Sequence, residues 1–266
     1  MGDQGLPMAT AIAEAGFPLH VWACSPASLD GLGKVPHQRH DTLGELAAAC
    51  ENIICLCVRT DDDVLELAGQ LLDGLRPGTV VVNHDTGLPG NAVRLTELCA
   101  KGDVAVLDAP VSGGRPAAQE CRLTTMVGGP QSEAERCTPV FQSFSRHVVH
   151  LGEAGAGQTA KLFNNALLMM NQAAIAEIVE LAVELQLDLG RLVEVLKLGS
   201  AASAALSLLN TMVRPDNVAH VSGVEALDME LFAQAVRDAG VDSTAVTEGG
   251  LAGAHGLTQL LHRLNA

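Results

Sequence analysis

The chain has 266 residues, enough to bury a substantial core as one large domain or two modest ones. Apolar residues make up 48% of it but aromatics only 2%, with no Tyr and a single Trp22, so Leu, Val and Ala must fill the interior. A formal net charge of −15 argues against nucleic acid and anionic membrane surfaces as partners, because both require clustered Lys and Arg, and any anionic substrate has to be captured locally against that field.

Small apolar residues recur at helical spacing from Met8 to Ala15, Gly16 stops that helix, and Leu19 to Ala23 then reads as a strand. Further strand signals follow at 53–58, 79–83, 104–107, 124–127 and 147–151, with helical segments between most of them. This alternation predicts a mainly parallel sheet with helices on both faces. After Gly157 the pattern is helical throughout: Gln158 to Leu185, Asp188 to Leu198, Ala202 to Met212, Val224 to Ala239 and Ser243 to Leu264, divided by Gly, Pro or Asp. Two domains are expected, 1–151 and 152–266.

The seven cysteines, Cys24, Cys50, Cys55, Cys57, Cys99, Cys121 and Cys137, are odd in number and lack CxxC spacing, which suits reduced, mostly buried thiols of a cytosolic protein. No charge-free apolar stretch reaches the roughly 18 to 20 residues of a membrane span, and no basic segment followed by an apolar run opens the chain. A soluble, cytoplasmic protein is expected.

Two motifs carry chemistry. Asp108-Ala109-Pro110-Val111-Ser112-Gly113-Gly114 reads as a strand end turning into a Ser-Gly-Gly loop whose N–H groups can close on a small anion. Lys161 and Asn165, four apart behind Gly152, Gly155 and Gly157, share a helical face, and Asn164 adds an amide on the adjacent strip. Together they describe a site for a small hydroxy acid. With these residues the chain resembles the β-hydroxyacid dehydrogenase family, which includes 3-hydroxyisobutyrate and tartronate semialdehyde reductases and, more distantly, 6-phosphogluconate dehydrogenase. The resemblance runs from Gly2 almost to the C-terminus.

The resemblance implies a Rossmann-type, doubly wound domain that binds NAD or NADP, followed by an all-helical domain for substrate and dimerisation. It implies hydride transfer between a nicotinamide and a small β-hydroxyacid or its semialdehyde, in a homodimer or higher homo-oligomer. It makes Lys161 the general acid and base, a role that partial burial of a lysine favours. It assigns Asn165, with Asn164 beside it, to orienting the substrate, and Ser112, Gly113 and Gly114 to holding the substrate carboxylate.

At the cofactor end, Met1-Gly2-Asp3-Gln4-Gly5-Leu6-Pro7-Met8-Ala9 is similar to the family's Gly-Leu-Gly-x-Met-Gly-x-Pro-Met-Ala. Gly2 and Gly5 match its second and third glycines, and Leu6 and Pro7 follow them to the cofactor. The first glycine and the first strand are absent, so the working protein is expected to start upstream of Met1. Ser25, after the strand that selects between the nucleotides, can bond either one and leaves NAD and NADP both open. Val58, Arg59 and Thr86 fall where the family flanks the nicotinamide, and Arg59 and Asp85 depart from the small or hydroxyl residues usual there.

Two further departures concern substrate. Leu227-Asp228 stands where relatives carry Lys-Asp, which removes one anionic handle, and Cys121-Arg122-Leu123 replaces Gly-Thr-Leu or Gly-Ser-Leu, with Arg122 expected at the surface. A larger or less carboxylate-dependent substrate follows as an expectation. The scaffold also hosts imine reductases, which usually replace the lysine that is kept here. The pairs His37 with His40 and His147 with His150 lack acidic or thiol companions, so no metal is expected. Cys55 and Cys57 read as packing, and Asp61-Asp62-Asp63 as a helix cap and first-turn charge. The competing reading is a non-catalytic, degenerate member acting as a dimeric or ligand-sensing protein.

Overall fold

The computed structural model describes residues 1–265, which form two compact units, Met1–Lys161 and Leu162 onward. In the first, α1 (Gly5–Glu14) leads to β1 (His20–Val21) and a short 3-10 turn, and β2 (Gln38–Arg39) then pairs with β1 in parallel. The main sheet follows in a doubly wound path: α2 (Leu43–Ala49), β3 (Ile53–Leu56), α3 (Asp61–Leu72), β4 (Val80–Asn83), α4 (Pro89–Cys99) and β5 (Ala105–Asp108). It is completed by β6 (Val111–Ser112), α5 (Gly114–Gln119), β7 (Leu123–Gly128), α6 (Gln131–Phe144) and β8 (Ser145–Gly152).

Strands β3, β4 and β5 are parallel neighbours, β7 runs antiparallel to both β5 and β6, and β8 is parallel to β7. All four residues of β4 are buried, as an apolar run covered on both faces requires. Val80 and Val82 pack with Leu107, Phe141 and Phe144 on one face, while Val81 joins Ile54, Leu71 and Leu95 on the other. All six expected strands appear: β1, β3 and β4 are shorter than expected, β5 is shifted by one residue, and β7 and β8 are longer at both ends, while sequence reasoning missed the two-residue β2 and β6. Among the described residues no strand joins β1 to β3, so β1 and β2 form a two-stranded sheet apart from the six-stranded one. Trp22 follows β1 directly and is half-buried.

The second unit is built from α7 (Ala156–Glu184), which begins in the first, and from α8 (Leu189–Leu198), α9 (Ala204–Leu208), α10 (Val218–Asp238) and α11 (Thr244–Leu264). By length and composition α7 is apolar enough to cross a membrane, yet Leu162, Ala166 and Met169 pack with Met229, Phe232 and Ala254 in one aliphatic core. Ile175 and Val179 join Leu206, Leu209, Leu257 and Leu260 in another. Burial of each such side chain is worth roughly 1.5–3 kcal/mol. Gly253 lets α11 meet α7 backbone to backbone, since a Cβ there would lie 1.8 Å from the Met169 carbonyl oxygen.

Helix α9 is shorter than the expected 202–212, because the chain turns at Asn210, with φ of 60°, and Leu209 bridges Val213. Helix α10 starts earlier than Val224, directly behind the Pro215 turn, and accommodates Gly223 in its interior.

Candidate active site

Both sequence motifs meet at one carboxylate. Asp108 ends β5, is 1% exposed, and accepts the backbone N–H of Gly155 on Oδ1 at 2.8 Å and that of Gln158 on Oδ2 at 2.8 Å. These are the orphan donors at the start of α7, which a charged acceptor satisfies best. Burial raises the Asp108 carboxyl above its usual range, and the N–H groups of Gly155, Gln158 and Gly157 pull it back only in part. The approach requires bare backbone. A Cβ on Gly157 would sit 2.5 Å from the carbonyl oxygens of Asp108 and Met126, and Gly155 has a φ of 91°.

Gln158 ties the same turn of α7 to the loop after β4. Its Oε1 accepts Gly87 N–H at 2.9 Å, and its Nε2 donates to the Asp85 carbonyl at 2.7 Å. Asp85 in turn accepts Val58 N–H on Oδ2 at 2.5 Å, linking the loops after β3 and β4. Burial, with Asp61 and Asp63 nearby, pushes the Asp85 carboxyl up to about 7 against the pull of the Val58 N–H. Beneath it, His84 donates from Nδ1 to the Ala109 carbonyl at 2.8 Å and lies edge-on to Phe141 and Phe144. Burial lowers its pKa to about 4, so this imidazole is neutral and structural. The first turn of α7 is thus bolted to the carboxyl ends of β4 and β5, where doubly wound sheets bind their ligands. Lys161, half-buried, follows Gln158 by three residues on the same side of the helix.

Val111 and Ser112 pair with Thr125 and Thr124 of β7, and the chain then turns through Gly113 and Gly114 with φ of 128° and 65°. The expected Ser-Gly-Gly loop forms, and Gly113 has no room for a side chain, whose Cβ would fall 2.6 Å from that of Ala117.

At the start of the chain, α1 begins with no side-chain cap and no acid in its first turn. Gly2 has open space around it, whereas a Cβ on Gly5 would touch that of Cys57 at 3.3 Å. One glycine leaves room for a ligand and the other packs helix against strand, the division of labour of a dinucleotide turn. Met1, Gly2, Leu6, Arg115 and Gln119 are among the residues that line a cavity of about 310 Å³. Pro7 also lines it, and Arg115 pairs with Asp3 at 2.9 Å. Ser25 is exposed just ahead of the 3-10 turn, Val58 and Thr86 are half-buried after β3 and β4, and Arg59 is exposed. These residues fit a dinucleotide.

In the second unit, Asn165 is 7% exposed, donates from Nδ2 to Asp228 Oδ2 at 2.7 Å, and accepts on Oδ1 from Asn164 Nδ2 at 3.0 Å. Asp228 thus fixes the Asn165 amide within this unit, a partner that sequence reasoning did not name. Its neighbour Leu227 is 56% exposed.

Other sequence candidates resolve simply. Thr60, ahead of the three aspartates, is the N-cap of α3 and forms a capping box with Asp63. Arg122 is exposed and paired with Glu120. His147 and His150 lie on β8, and His150 Nε2 bonds the Gly129 carbonyl at 2.8 Å. All seven cysteines are free, but Cys24, Cys57 and Cys121 are exposed and Cys55 only partly covered, so fewer are buried than the composition suggested. Among the described residues no three His, Cys, Asp or Glu side chains converge as metal ligands would.

Residues 1–152 match the NAD binding domain of 6-phosphogluconate dehydrogenase, and residues 155–255 match the NAD-binding family of NADP-dependent 3-hydroxyisobutyrate dehydrogenase. An NAD-dependent L-serine dehydrogenase of Pseudomonas aeruginosa is 33% identical over 220 residues, 79% of this chain and 71% of that protein. A 3-hydroxyisobutyrate dehydrogenase of the same organism is 32% identical over 221 residues, again covering 79% and 71%. Among solved structures, Mycobacterium tuberculosis 3-hydroxyisobutyrate dehydrogenase with L-serine superimposes with a TM-score of 0.86 at 25% identity, covering 100% of this chain and 97% of that one.

Proposed function

Since this chain belongs to the β-hydroxyacid dehydrogenase family of NAD(P)-dependent oxidoreductases, we propose that it interconverts a small β-hydroxyacid and its semialdehyde or ketone with Lys161 as general acid and base. The observation that carries the assignment of residues is the joint at the start of α7. Asp108 and Gln158 hold that turn on the carboxyl ends of β5 and β4, and Lys161 stands one turn further on. A bound nicotinamide supplies or accepts the hydride. The chain's own residues do the rest.

Lys161 Nζ gives a proton to the substrate oxygen during reduction and takes it back during oxidation. The N–H groups of Gly113 and Gly114, with the Ser112 hydroxyl, hold the substrate carboxylate. Asn165, clamped by Asp228, presents its amide in one fixed orientation. The open start of α1, with Gly2 and Gly5, receives the cofactor's pyrophosphate, and Leu6, Pro7, Ser25, Val58 and Thr86 surround the rest of it. L-Serine and 3-hydroxyisobutyrate are the substrates named for its relatives and the first to try. The exposed Leu227 favours a substrate with a weaker demand for a second cation. A gain in turnover of small hydroxy acids on Leu227→Lys supports that preference, and no gain in any of them refutes it.

The reading includes a cytoplasmic homo-oligomer. Free thiols suit a reducing compartment, and the second unit exposes Ile178, Leu181, Leu185, Leu187 and Leu198. The test is thermal unfolding with NAD and NADP in parallel, followed by hydride transfer on a panel of β-hydroxyacids. At a hundred times its dissociation constant the true cofactor stabilises by about 2.7 kcal/mol. Absence of a shift with either nucleotide would sink the proposal.

A further inference from the structure

Two amide-to-carboxyl rungs cross from α7 to α10 within the second unit. Asn165 meets Asp228 in one, and in the other Gln172 Nε2 donates to Glu225 Oε1 at 2.9 Å. The inner rung is deeply buried, with Gln172 1% and Glu225 8% exposed. It is also half-made. Gln172 Oε1 and Glu225 Oε2, the remaining oxygens of the same two partners, are both buried without a hydrogen-bond partner.

Two acceptors cannot bond each other as they stand, and an ionised carboxylate offers nothing but acceptors. A neutral carboxyl offers one O–H. We propose that Glu225 rests as the neutral acid, with Oε2–H donating to Gln172 Oε1 so that two hydrogen bonds close a ring, and that loss of this proton releases α7 from α10 one turn of α10 and two turns of α7 away from the Asp228–Asn165 rung. Glu225 is then a positioning residue for Asn165, acting through α10.

The surroundings agree. Burial pushes the Glu225 carboxyl up to about 7, the Gln172 hydrogen bond opposes that, and the charge of Asp228 on the same helix adds to it. From α11, Gly250 packs against Met229 and the Ala254 carbonyl accepts the Ser222 hydroxyl, on either side of Glu225 along α10. Ordinary glutamate ionises near pH 4.3, so between about pH 4.3 and about pH 7 the folded chain keeps a proton that the unfolded chain has lost. The rung therefore contributes its full stability at low pH and loses it as pH rises through about 7.

The experiment uses the cofactor-free chain. Carbon-13 NMR of labelled glutamate side chains, assigned with Glu225→Gln, reads the protonation of Glu225 directly. Thermal unfolding from about pH 5 to about pH 8 reads its linkage. The expected result is a carboxyl still protonated at about pH 6, with a melting temperature that falls by several degrees over the range. Glu225→Gln, which can close the same ring as an amide pair, should keep the low-pH melting temperature and flatten the fall, while Glu225→Ala lowers it at every pH. The double variant Gln172→Met with Glu225→Leu replaces the rung by apolar packing and should remove the Glu225 share of the pH response even where Glu225→Ala fails to fold. A carboxylate ionised at about pH 6, or a fall in melting temperature as steep as the parent's in both Glu225→Gln and the double variant, overturns the proposal. These arms are independent of catalysis. The effect on Asn165 rests on the dehydrogenase reading and is scored separately, as a pH profile of kcat that shifts in Glu225→Gln.

Discussion

Helices α1 and α7 both start beside the sheet of the first unit, and their N-termini are treated in opposite ways. Each leaves backbone N–H groups without helical partners and carries the positive end of a helix dipole. At α7 the chain fills that end itself, with the buried carboxylate of Asp108 on two N–H groups. At α1 there is no side-chain cap and no acid in the first turn, and Gly2 faces open space. The difference teaches how one physical feature serves two purposes. A helix end filled by protein is a joint, and the one left open beside bare glycine is the end proposed to receive the cofactor's pyrophosphate.

The largest effect expected is on what the joint positions. Lys161→Ala should lower kcat by roughly 10²- to 10⁴-fold and leave cofactor affinity and melting temperature near those of the parent. Equal losses of affinity and turnover would show that the lysine serves binding instead. Breaking the joint comes next. Asp108→Ala strands two N–H groups and should cost about 2–4 kcal/mol, read by urea unfolding; a cost below about 1 kcal/mol would make the cap ornamental.

Closing the open end should do the reverse. Gly2→Asp places a carboxylate where the pyrophosphate is proposed to sit, so dinucleotide affinity should fall by about tenfold or more while the empty chain gains about 0.3–1 kcal/mol. Unchanged affinity would show that α1 does not receive the cofactor. The smallest effect concerns the loop that the joint fastens. With its carboxyl raised to about 7, Asp85 makes stability fall as pH rises from about 4 through about 7 and level off beyond. Asp85→Asn should lift stability at about pH 8 by roughly 1–2 kcal/mol after allowance for partial exposure, relative to acid pH. A pH response as steep as the parent's would refute that assignment.

What the sequence made legible was local. The glycines, the Ser-Gly-Gly turn, and Lys161 with Asn165 at one-turn spacing are short-range patterns, and each appears where it was expected. The long helix α7 and the alternating strands were legible for the same reason, since periodicity reports which faces are buried. The missing parts join distant segments. Asp108 reaches 47 and 50 residues along the chain to cap α7, and Gln158 reaches 71 and 73 residues back to the β4 loop. No local rule pairs such residues. One faint signal existed: Gly128 and Gly157 both lie where a Cβ would strike the Asp108 carboxylate, so glycines at two distant strand and helix ends marked a shared crowded point. Strands β2 and β6 escaped because two residues are too few to show alternation. The Gln172–Glu225 rung escaped because isolated polar residues on an apolar helix read equally well as exposed.

The scarcity of aromatic residues has a use in the laboratory. With no Tyr and one Trp in the chain, the tryptophan emission comes entirely from Trp22, half-buried beside β1 and three residues before Ser25. The helical unit is dark at those wavelengths. The first unit thus carries its own optical reporter next to the proposed nucleotide site, and reduced nicotinamide absorbs where indole emits. Quenching of a single emission band follows cofactor binding without a label, in the parent and in every variant named above.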